Sequence, residues 1–384
     1  MGPRIESRVV PRDMSELAPR RCALGKGTLH AFPPQLEGQV SNGSCLQLAD
    51  ESSARRAGVI KADLECKSHP AARCKHPNQN QHVSLELVPL EMADAQVWAQ
   101  GGGVANALLE DSDFQVRVVT RSASSDKAQA LQERGAEVVQ ASYDDPCTLG
   151  PALQDADGTF VVTNYWEHRD FDRAVQQGKA VADAAKAAGV QHVVFSTLEH
   201  AHKIAGFPVL HFDSKALVEQ YMTSLDLPAT FVKYPFFYEN YLKVRKIRKL
   251  EDGTYEIGYP MEGAAMDGAS VADLGFAIRA IFKNRDQWLR RSVGFSADKL
   301  TIQQHAEILS KHLAPKVFKA TEMTAERFCK LGFPGAEELG NQFKFCRIHS
   351  CERSGELTRQ LYPAVRSFDT WVADNKEALL NTLD

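Results

Sequence analysis

The sequence predicts an α/β protein built around a doubly wound parallel sheet, followed by a smaller and mostly helical C-terminal part. From Ala99 onward, short apolar runs alternate with amphipathic helical segments, a pattern typical of a parallel sheet with helices on both faces. Near the start of this region, Gly101, Gly102 and Gly103 are expected to open an Ala- and Leu-rich helix. No internal repeat is visible in the chain.

Composition and charge exclude several function classes. The chain has 384 residues, of which 43% are hydrophobic and 24% charged, as expected for a globular protein. Its net charge of −4 provides no basic field for nucleic acid or an anionic membrane. We expect no membrane span and no secretory signal, because no apolar run is long enough and the first residues are polar. The eight cysteines are therefore expected to be reduced thiols in the cytoplasm or nucleus.

Residues 1–98 differ in composition from the rest of the chain. They are rich in Pro, Arg, Ser and Gln, and we expect them to be mostly disordered. The exception is 82–88, which alternates like a short strand and could replace the first strand of the sheet. Pro89 and the long connection to Gly101 argue against that alternative. The abrupt change at this boundary fits either a mis-assembled first exon or a splice form with a foreign N-terminus.

The elements of the α/β region follow in order. Gly135 and Gly189 each close a helix, and Asp144-Asp145 precedes another. The expected strands are 116–120, 137–140, 159–163, 192–197 and 229–234. The expected helices are 126–134, 146–154, 171–188, 214–223, 271–282, 301–311, 336–345 and 370–380.

The glycine run is half of a dinucleotide-binding motif. At the N-terminus of a helix, Gly101 and Gly102 would let the backbone approach a pyrophosphate. The strand and the G-x-x-G turn that should precede them are absent, so we expect a sheet without its central first strand and with two unpaired edges. Glycine triplets also occur in flexible loops, which leaves this signal weak by itself.

Arg121 follows the second strand, where an acidic residue usually binds the ribose of NAD. An arginine there accommodates the 2′-phosphate of NADP, and Thr120, Ser122 and Lys127 are close enough in sequence to assist. The alternative is a solvated arginine after a strand.

The segment after the strand 159–163 carries polar and aromatic residues. It lies at the carboxyl edge of the sheet, where open α/β folds bind ligands. Asn164 could hydrogen-bond a ribose or a carboxamide, and Tyr165 or Trp166 could stack on a ring. Alternatively, the aromatic pair packs a loop.

His211 and Lys215 are four residues apart, on one face of a helix. Short-chain dehydrogenases place a catalytic Tyr at the first position and a Lys at the second, and here the Tyr is missing. Lys215 is expected to bind the cofactor, while His211 and Ser196, which ends the preceding strand, are weak candidates for proton transfer.

Other clusters carry less information. Cys66, His69, Cys74, His76 and His82 lack the paired spacing of a zinc site, so we expect no metal. The basic run 245–249 is interpreted as a solvated face rather than a nucleic-acid site.

Several strings together resemble the NmrA-like family of atypical short-chain dehydrogenases. They are Ala99-Gln100-Gly101-Gly102, Val118-Val119-Thr120-Arg121, Val162-Thr163-Asn164-Tyr165-Trp166-Glu167, His211-Phe212-Asp213-Ser214-Lys215 and Lys330-Leu331-Gly332-Phe333-Pro334-Gly335-Ala336. The resemblance covers about 99–384 and implies a Rossmann-like domain, with 99–235 mainly binding NADP(H) and 236–384 mainly forming the smaller part. It implies that Gly101, Arg121, Asn164 and Lys215 bind the cofactor.

The resemblance also implies a function and partners. It implies an NADP(H)-binding redox sensor in cytoplasm and nucleus that changes conformation, dimerisation and partners with the NADPH/NADP⁺ ratio. The implied partners are argininosuccinate synthase and NF-κB pathway components. Two alternatives stay open. One is a reductase that uses His211 or Ser196, and the other is an interaction protein whose nucleotide site is inactive.

Overall fold

The computed structural model describes residues 81–86, 95–243, 247–349 and 351–383. All of them belong to one compact unit, Ala72–Asp384. The strands are β1 (Gln81–Glu86), β2 (Phe114–Thr120), β3 (Glu137–Gln140), β4 (Gly158–Val161), β5 (His192–Thr197), β6 (Ala229–Lys233), β7 (Phe236–Phe237), β8 (Ile247–Lys249), β9 (Tyr255–Ile257), β10 (Met266–Ala269), β11 (Ser292–Gly294), β12 (Asp298–Leu300) and β13 (Phe318–Ala320).

The helices cover most of the remaining described chain. They are α1 (Ala95–Leu109), α2 (Asp126–Glu133), α3 (Leu149–Leu153), α4 (Tyr165–His168), α5 (Phe171–Ala187), α6 (Ala201–Ala205), α7 (Leu210–Ser224), α8 (Asn240–Lys243), α9 (Val271–Lys283), α10 (Arg285–Trp288), α11 (Ile302–His312), α12 (Ala325–Cys329), α13 (Ala336–Ile348), α14 (Gly355–Leu361), α15 (Phe368–Asp374) and α16 (Lys376–Asn381), with a 3-10 helix (Pro146–Thr148) before α3. No helix in the described ranges is long and apolar enough to cross a membrane.

Seven parallel strands form the main sheet in the order β11-β6-β5-β4-β1-β2-β3. Strand β1 lies in the interior of this sheet, where Val83 is opposite Val116 of β2 and Gly158 of β4. The prediction of a missing central strand with two unpaired edges is therefore wrong. The alternative that 82–88 supplies the first strand is confirmed for Gln81–Glu86. Residues 1–80 and 87–94, to which the rest of the predicted disorder refers, lie outside the described residues.

Helix α1 begins at Ala95, six residues before the glycine run. The prediction that Gly101 and Gly102 open this helix is therefore wrong. Beyond the first four residues of an α-helix, backbone amides donate to carbonyls one turn earlier, so they are not free to bind phosphate. Both glycines are buried, and they lie in the helix interior rather than in a phosphate-binding turn.

The glycine run instead allows two helices to touch. A Cβ on Gly275 of α9 would lie 2.2 Å from the carbonyl oxygen of Gly103 in α1. A Cβ on Gly103 would lie 3.0 Å from the carbonyl oxygen of Val271. Glycine at both positions brings the two backbones into contact on one face of the sheet.

Gly275→Ala is expected to lower the free energy of unfolding by about 3 kcal/mol, because backbone must move to admit the methyl group. The matched control is Gly150→Ala in α3, where a Cβ meets no atom within 4 Å. That substitution should be neutral or stabilising by up to about 1 kcal/mol. Urea unfolding measures both, and equal stability of the two variants would contradict the close helix contact.

Apolar side chains alternate between the two faces of the sheet. On β5, Val194 packs in the cluster that contains residues of α1 and α9, whereas Val193 and Phe195 pack with residues of α5 and α7. All three side chains are fully buried. This two-sided burial confirms the doubly wound architecture and explains why the strands read as continuous apolar runs.

Beside its helices, the part after 235 contains strands that the sequence does not predict. It contains two three-stranded sheets, β12-β10-β7 and β13-β9-β8. The helix predicted at 370–380 is two helices that meet at Asn375. Strand β11 pairs with β6, and α9 packs against the main sheet, so this part of the chain also contributes to the sheet layers. The other predicted elements are confirmed to within a few residues.

Candidate functional site

The side chains predicted to bind a ligand lie along the carboxyl edge of the main sheet. Arg121 follows β2, Asn164 follows β4, and Ser196 lies near the end of β5. A cavity of about 380 Å³ opens at this edge, and Asn164, Ser196, His211 and Lys215 all line it. The topology explains this grouping, because the carboxyl ends of parallel strands meet at one edge.

Helix α7 begins at Leu210, four residues earlier than predicted, so it holds both His211 and Lys215 one turn apart. The buried Lys215 Nζ donates to the carbonyl of Ser196 at 3.0 Å and to Thr163 Oγ1 at 3.4 Å. Among the described residues, no carboxylate forms an ion pair with this amine. Burial lowers the pKa of Lys215 to about 7. The cavity therefore contains an amine with capacity to bind an anion or a hydroxyl group.

Lys215→Met is expected to stabilise the fold by about 1–4 kcal/mol below pH 7, because it removes a buried charge that lacks an ion-pair partner. The pKa of Lys215 is about 7 in the folded chain and near the ordinary value of 10.5 in the unfolded chain. Between these two pH values, the unfolded chain therefore binds more protons than the folded chain. Wild-type stability therefore rises with pH across this window. The advantage of the variant should shrink toward pH 10 in urea unfolding. A difference that does not change with pH would contradict the burial of a charged amine.

Glu338 of α13 anchors the N-terminus of α7. Its carboxylate accepts hydrogen bonds from the amides of Leu210 at 3.1 Å and His211 at 2.8 Å, and it also bonds Nδ1 of His211. Burial opposes ionisation of Glu338, but the bonds from His211 and the two amides hold its pKa below the usual value. This carboxylate therefore fixes the imidazole of His211 and ties α7 to α13.

The ring of His211 packs among aromatic side chains at the cavity wall. Its centroid lies 4.8 Å from that of Trp166 and 4.7 Å from that of Phe212. Tyr165 makes an edge contact with Trp166, and burial raises the pKa of Tyr165 to about 12. Tyr165 and Trp166 both pack against His211, as the packing interpretation predicts. They also line the cavity, and their stacking on a ligand ring stays a prediction.

Ser196 forms a hydrogen bond with Gln100, a residue that was not predicted as part of the site. Its hydroxyl donates to Oε1 of the buried Gln100 of α1 at 2.7 Å. Gln100 directly precedes the glycine run, so its place in that motif could have identified it. Glu338 is 127 residues from His211 in sequence, and no local pattern signals their contact.

Arg121 lies outside the cavity wall and forms an ion pair with Glu167 of α4. The two side chains are 28% and 25% exposed, and the buried Nε of Arg121 has no hydrogen-bond partner in the described part of the chain. Lys127 is half-buried in the first turn of α2, also outside the wall. Arg121 therefore presents a partly exposed guanidinium, paired with Glu167, at the same sheet edge.

The described residues contain no group of three or more His, Cys, Asp or Glu side chains that could hold a metal ion. Cys66, His69, Cys74 and His76 lie outside the described residues, and so does the side chain of His82.

The chain is similar to known proteins over most of its length. The model of the NmrA-like family matches residues 99–372. An NmrA-like family domain-containing protein of Dictyostelium discoideum is 29% identical over 231 residues, which is 57% of this chain and 75% of that protein. An NmrA-like family domain-containing oxidoreductase of Aspergillus flavus is 34% identical over 274 residues, which is 65% of this chain and 80% of that protein.

A solved structure shows the same fold. The structure of NmrA, a negative transcriptional regulator, in complex with NADP aligns with a TM-score of 0.66 and 19% identity. The alignment covers 80% of this chain and 99% of NmrA. From the family match over residues 99–372, together with this fold, the chain belongs to the NmrA-like family.

Proposed function

We propose that this chain is an NADP(H)-binding regulatory protein without dehydrogenase turnover. In this proposal, its conformation or oligomeric state, and with them its protein contacts, change with the NADPH/NADP⁺ ratio. One observation carries the proposal: Lys215 lies in the cavity at the sheet edge, while the tyrosine position one turn earlier holds His211, tied to Glu338. The NADP complex of NmrA supports the same cofactor class.

The residues at the sheet edge fit a phosphorylated dinucleotide. Lys215 and Asn164 would hold the nicotinamide ribose in the cavity, and Arg121 would bind the 2′-phosphate with the exposed part of its guanidinium. Bound there, NADPH would bring a transferable hydride, which the proposed regulatory function does not use. The order of β2, β1, β4 and β5 in the sheet places Arg121 and the cavity along one edge.

The proposed absence of turnover rests on the missing tyrosine and on the hydrogen bond that engages the hydroxyl of Ser196. A reductase needs a side chain that gives a proton to its substrate. The hydroxyl of Ser196 donates to Gln100, and Nδ1 of His211 is held by Glu338. These bonds tie β5 to α1 and α7 to α13, while the position of the tyrosine that gives the proton in short-chain dehydrogenases is held by His211.

A second candidate function is an NAD(P)H-dependent reductase. The specific observation that favours it is the His211–Glu338 pair, because a carboxylate on Nδ1 can orient an imidazole for proton transfer through Nε2. The name of the Aspergillus flavus relative, an oxidoreductase, points the same way.

The two functions differ in whether NADPH is consumed. The full chain is incubated with NADPH and a quinone or carbonyl acceptor, and reduced nicotinamide is followed by absorbance. We expect the rate to equal that of the His211→Phe variant and of buffer alone. Consumption that disappears in His211→Phe and persists in the control Cys147→Ser, at an exposed thiol, would establish the reductase instead.

The regulatory function also requires a response to the oxidation state of the nucleotide. We expect the sedimentation coefficient of the full chain to differ between saturating NADPH and NADP⁺. An identical coefficient and identical protease sensitivity with both nucleotides would exclude a sensor. The proposed location is the cytoplasm and nucleus, and the proposed partners are argininosuccinate synthase and NF-κB pathway components. Binding of each purified partner with NADPH and with NADP⁺ tests that part.

A further inference from the structure

Two cysteines lie close together in the wall of the cavity. Cys346 is in the last turns of α13, and Cys351 is five residues later, before α14. Both side chains line the cavity and pack against the same small cluster, which contains Phe212 and Phe345. The two thiols are close enough for each to shift the pKa of the other. Each residue is partly exposed at the cavity.

The two thiols differ in pKa, and a salt bridge lies beside them. The guanidinium of Arg353 lies two residues beyond Cys351 and forms a buried salt bridge with Glu199 at 2.5 Å. The contact with the Cys346 thiol lowers the pKa of Cys351 against the opposing effects of burial and of the Glu199 carboxylate, and Arg353 makes a smaller contribution that also lowers it. The same contact, with burial, raises the pKa of Cys346. Cys351 is therefore the thiol that ionises first, and thiolate is the form that attacks a disulfide.

We propose that Cys346 and Cys351 are a redox-active dithiol that closes to a disulfide in the cavity wall when the chain meets glutathione disulfide. The Cys351 thiolate attacks one sulfur of glutathione disulfide, which forms a mixed disulfide and releases one glutathione thiolate. Cys346 loses its proton to solvent and attacks the sulfur of Cys351, which releases the second glutathione. The protein loses two electrons and two protons, and glutathione disulfide becomes two molecules of glutathione.

The short separation of the two cysteines suits a reversible bond rather than a structural one. A disulfide that closes so small a loop constrains the unfolded chain little, and therefore adds little stability. Disulfides that are accessible to solutes are also the ones most readily reduced. The bond would join the end of α13 to the segment before α14, beside the Arg353–Glu199 salt bridge. This proposal does not depend on the binding of NADP(H).

Tryptic mapping of the full chain tests the proposal. Cleavage after Lys344, Arg347 and Arg353 puts Cys346 on peptide 345–347 and Cys351 on peptide 348–353. After folded protein is treated with glutathione disulfide and alkylated, mass spectrometry should find these two peptides linked, with a loss of two hydrogens. The link should disappear on reduction.

Variants separate the two steps. Cys346→Ser should stop at the mixed disulfide, so peptide 348–353 carries one glutathione. Cys147→Ser, at an exposed cysteine outside the cavity, should leave the link unchanged. The proposal is overturned if wild-type peptides 345–347 and 348–353 each carry glutathione without a link, or if both stay unmodified while Cys147 reacts. Binding of NADPH is measured in a separate experiment. If the chain does not bind NADPH, the peptide mapping still tests the disulfide.

Discussion

A chain shortened to begin at Ala99 is expected not to fold, whereas one that begins at Ala72 keeps its stability. The shorter chain lacks β1, which pairs with β2 on one side and β4 on the other. It also lacks Val83, which is fully buried in the main core cluster. The family model begins at residue 99, so the family match alone would suggest the opposite result.

The expected loss in the free energy of unfolding follows from the hydrogen bonds and the apolar burial that β1 contributes. Each ladder hydrogen bond adds about 1 kcal/mol net, and burial of a valine adds roughly 2 kcal/mol. Loss of two ladders and of Val83 is therefore comparable with the whole free energy of unfolding of a domain, about 5–15 kcal/mol. The first four residues of α1 are removed as well.

Circular dichroism and urea unfolding of the two shortened chains measure this effect. The full chain with Val83→Asp provides a point variant at the same place, and it should also be destabilised severely. A cooperative unfolding transition for the chain that begins at Ala99, at the same urea concentration as for the chain that begins at Ala72, would show that β1 is not part of the folded sheet.

Arg121→Ala is expected to weaken NADPH binding by about 10–100-fold and to leave NADH binding nearly unchanged. A guanidinium bond to a phosphate contributes about 1.5–3 kcal/mol, and 1.4 kcal/mol corresponds to a factor of ten. NADH has no 2′-phosphate, so the loss should be confined to the phosphorylated nucleotide. The comparison of the two nucleotides therefore separates loss of this contact from general damage to the fold.

Glu167→Gln is expected to strengthen NADPH binding, which is the opposite of the effect of Arg121→Ala. Glu167 forms an ion pair with Arg121, and it competes with the 2′-phosphate for the same guanidinium. The amide keeps the shape of the side chain and removes its charge, so we expect NADPH to bind several-fold more tightly. Calorimetric titration of both variants measures these changes. Equal losses for NADPH and NADH in Arg121→Ala would contradict the assignment of Arg121 to the 2′-phosphate.

Most of the main sheet can be predicted from the sequence, because each buried strand and each capped helix has a recognisable local sequence pattern. Strand β1 also had such a pattern, the alternation in 82–88, but Pro89 and the long connection to the glycines argued against it. The glycine run was misinterpreted for a related reason. Three glycines fit a phosphate turn and a close helix contact equally well, and the start of α1 at Ala95 together with the position of Gly275 on α9 distinguishes them.

The site was only partly predictable for a similar reason. Lys215, His211, Asn164 and Ser196 were found because each has a fixed place relative to a strand or a helical turn. Glu338, which holds His211, comes from a helix far along the chain, and only the folded structure brings it there. The strands of the two small sheets have two to four residues, too few for a periodic pattern to be recognised.

Calorimetric titration of the full chain with NADPH and with NADH tests the central claim most directly. We expect NADPH to bind with a micromolar dissociation constant and at least about tenfold more tightly than NADH, since one charge-assisted contact distinguishes them. If a chain with a cooperative unfolding transition binds neither nucleotide, the cavity and Arg121 do not form a cofactor site. The chain would then act through protein contacts alone.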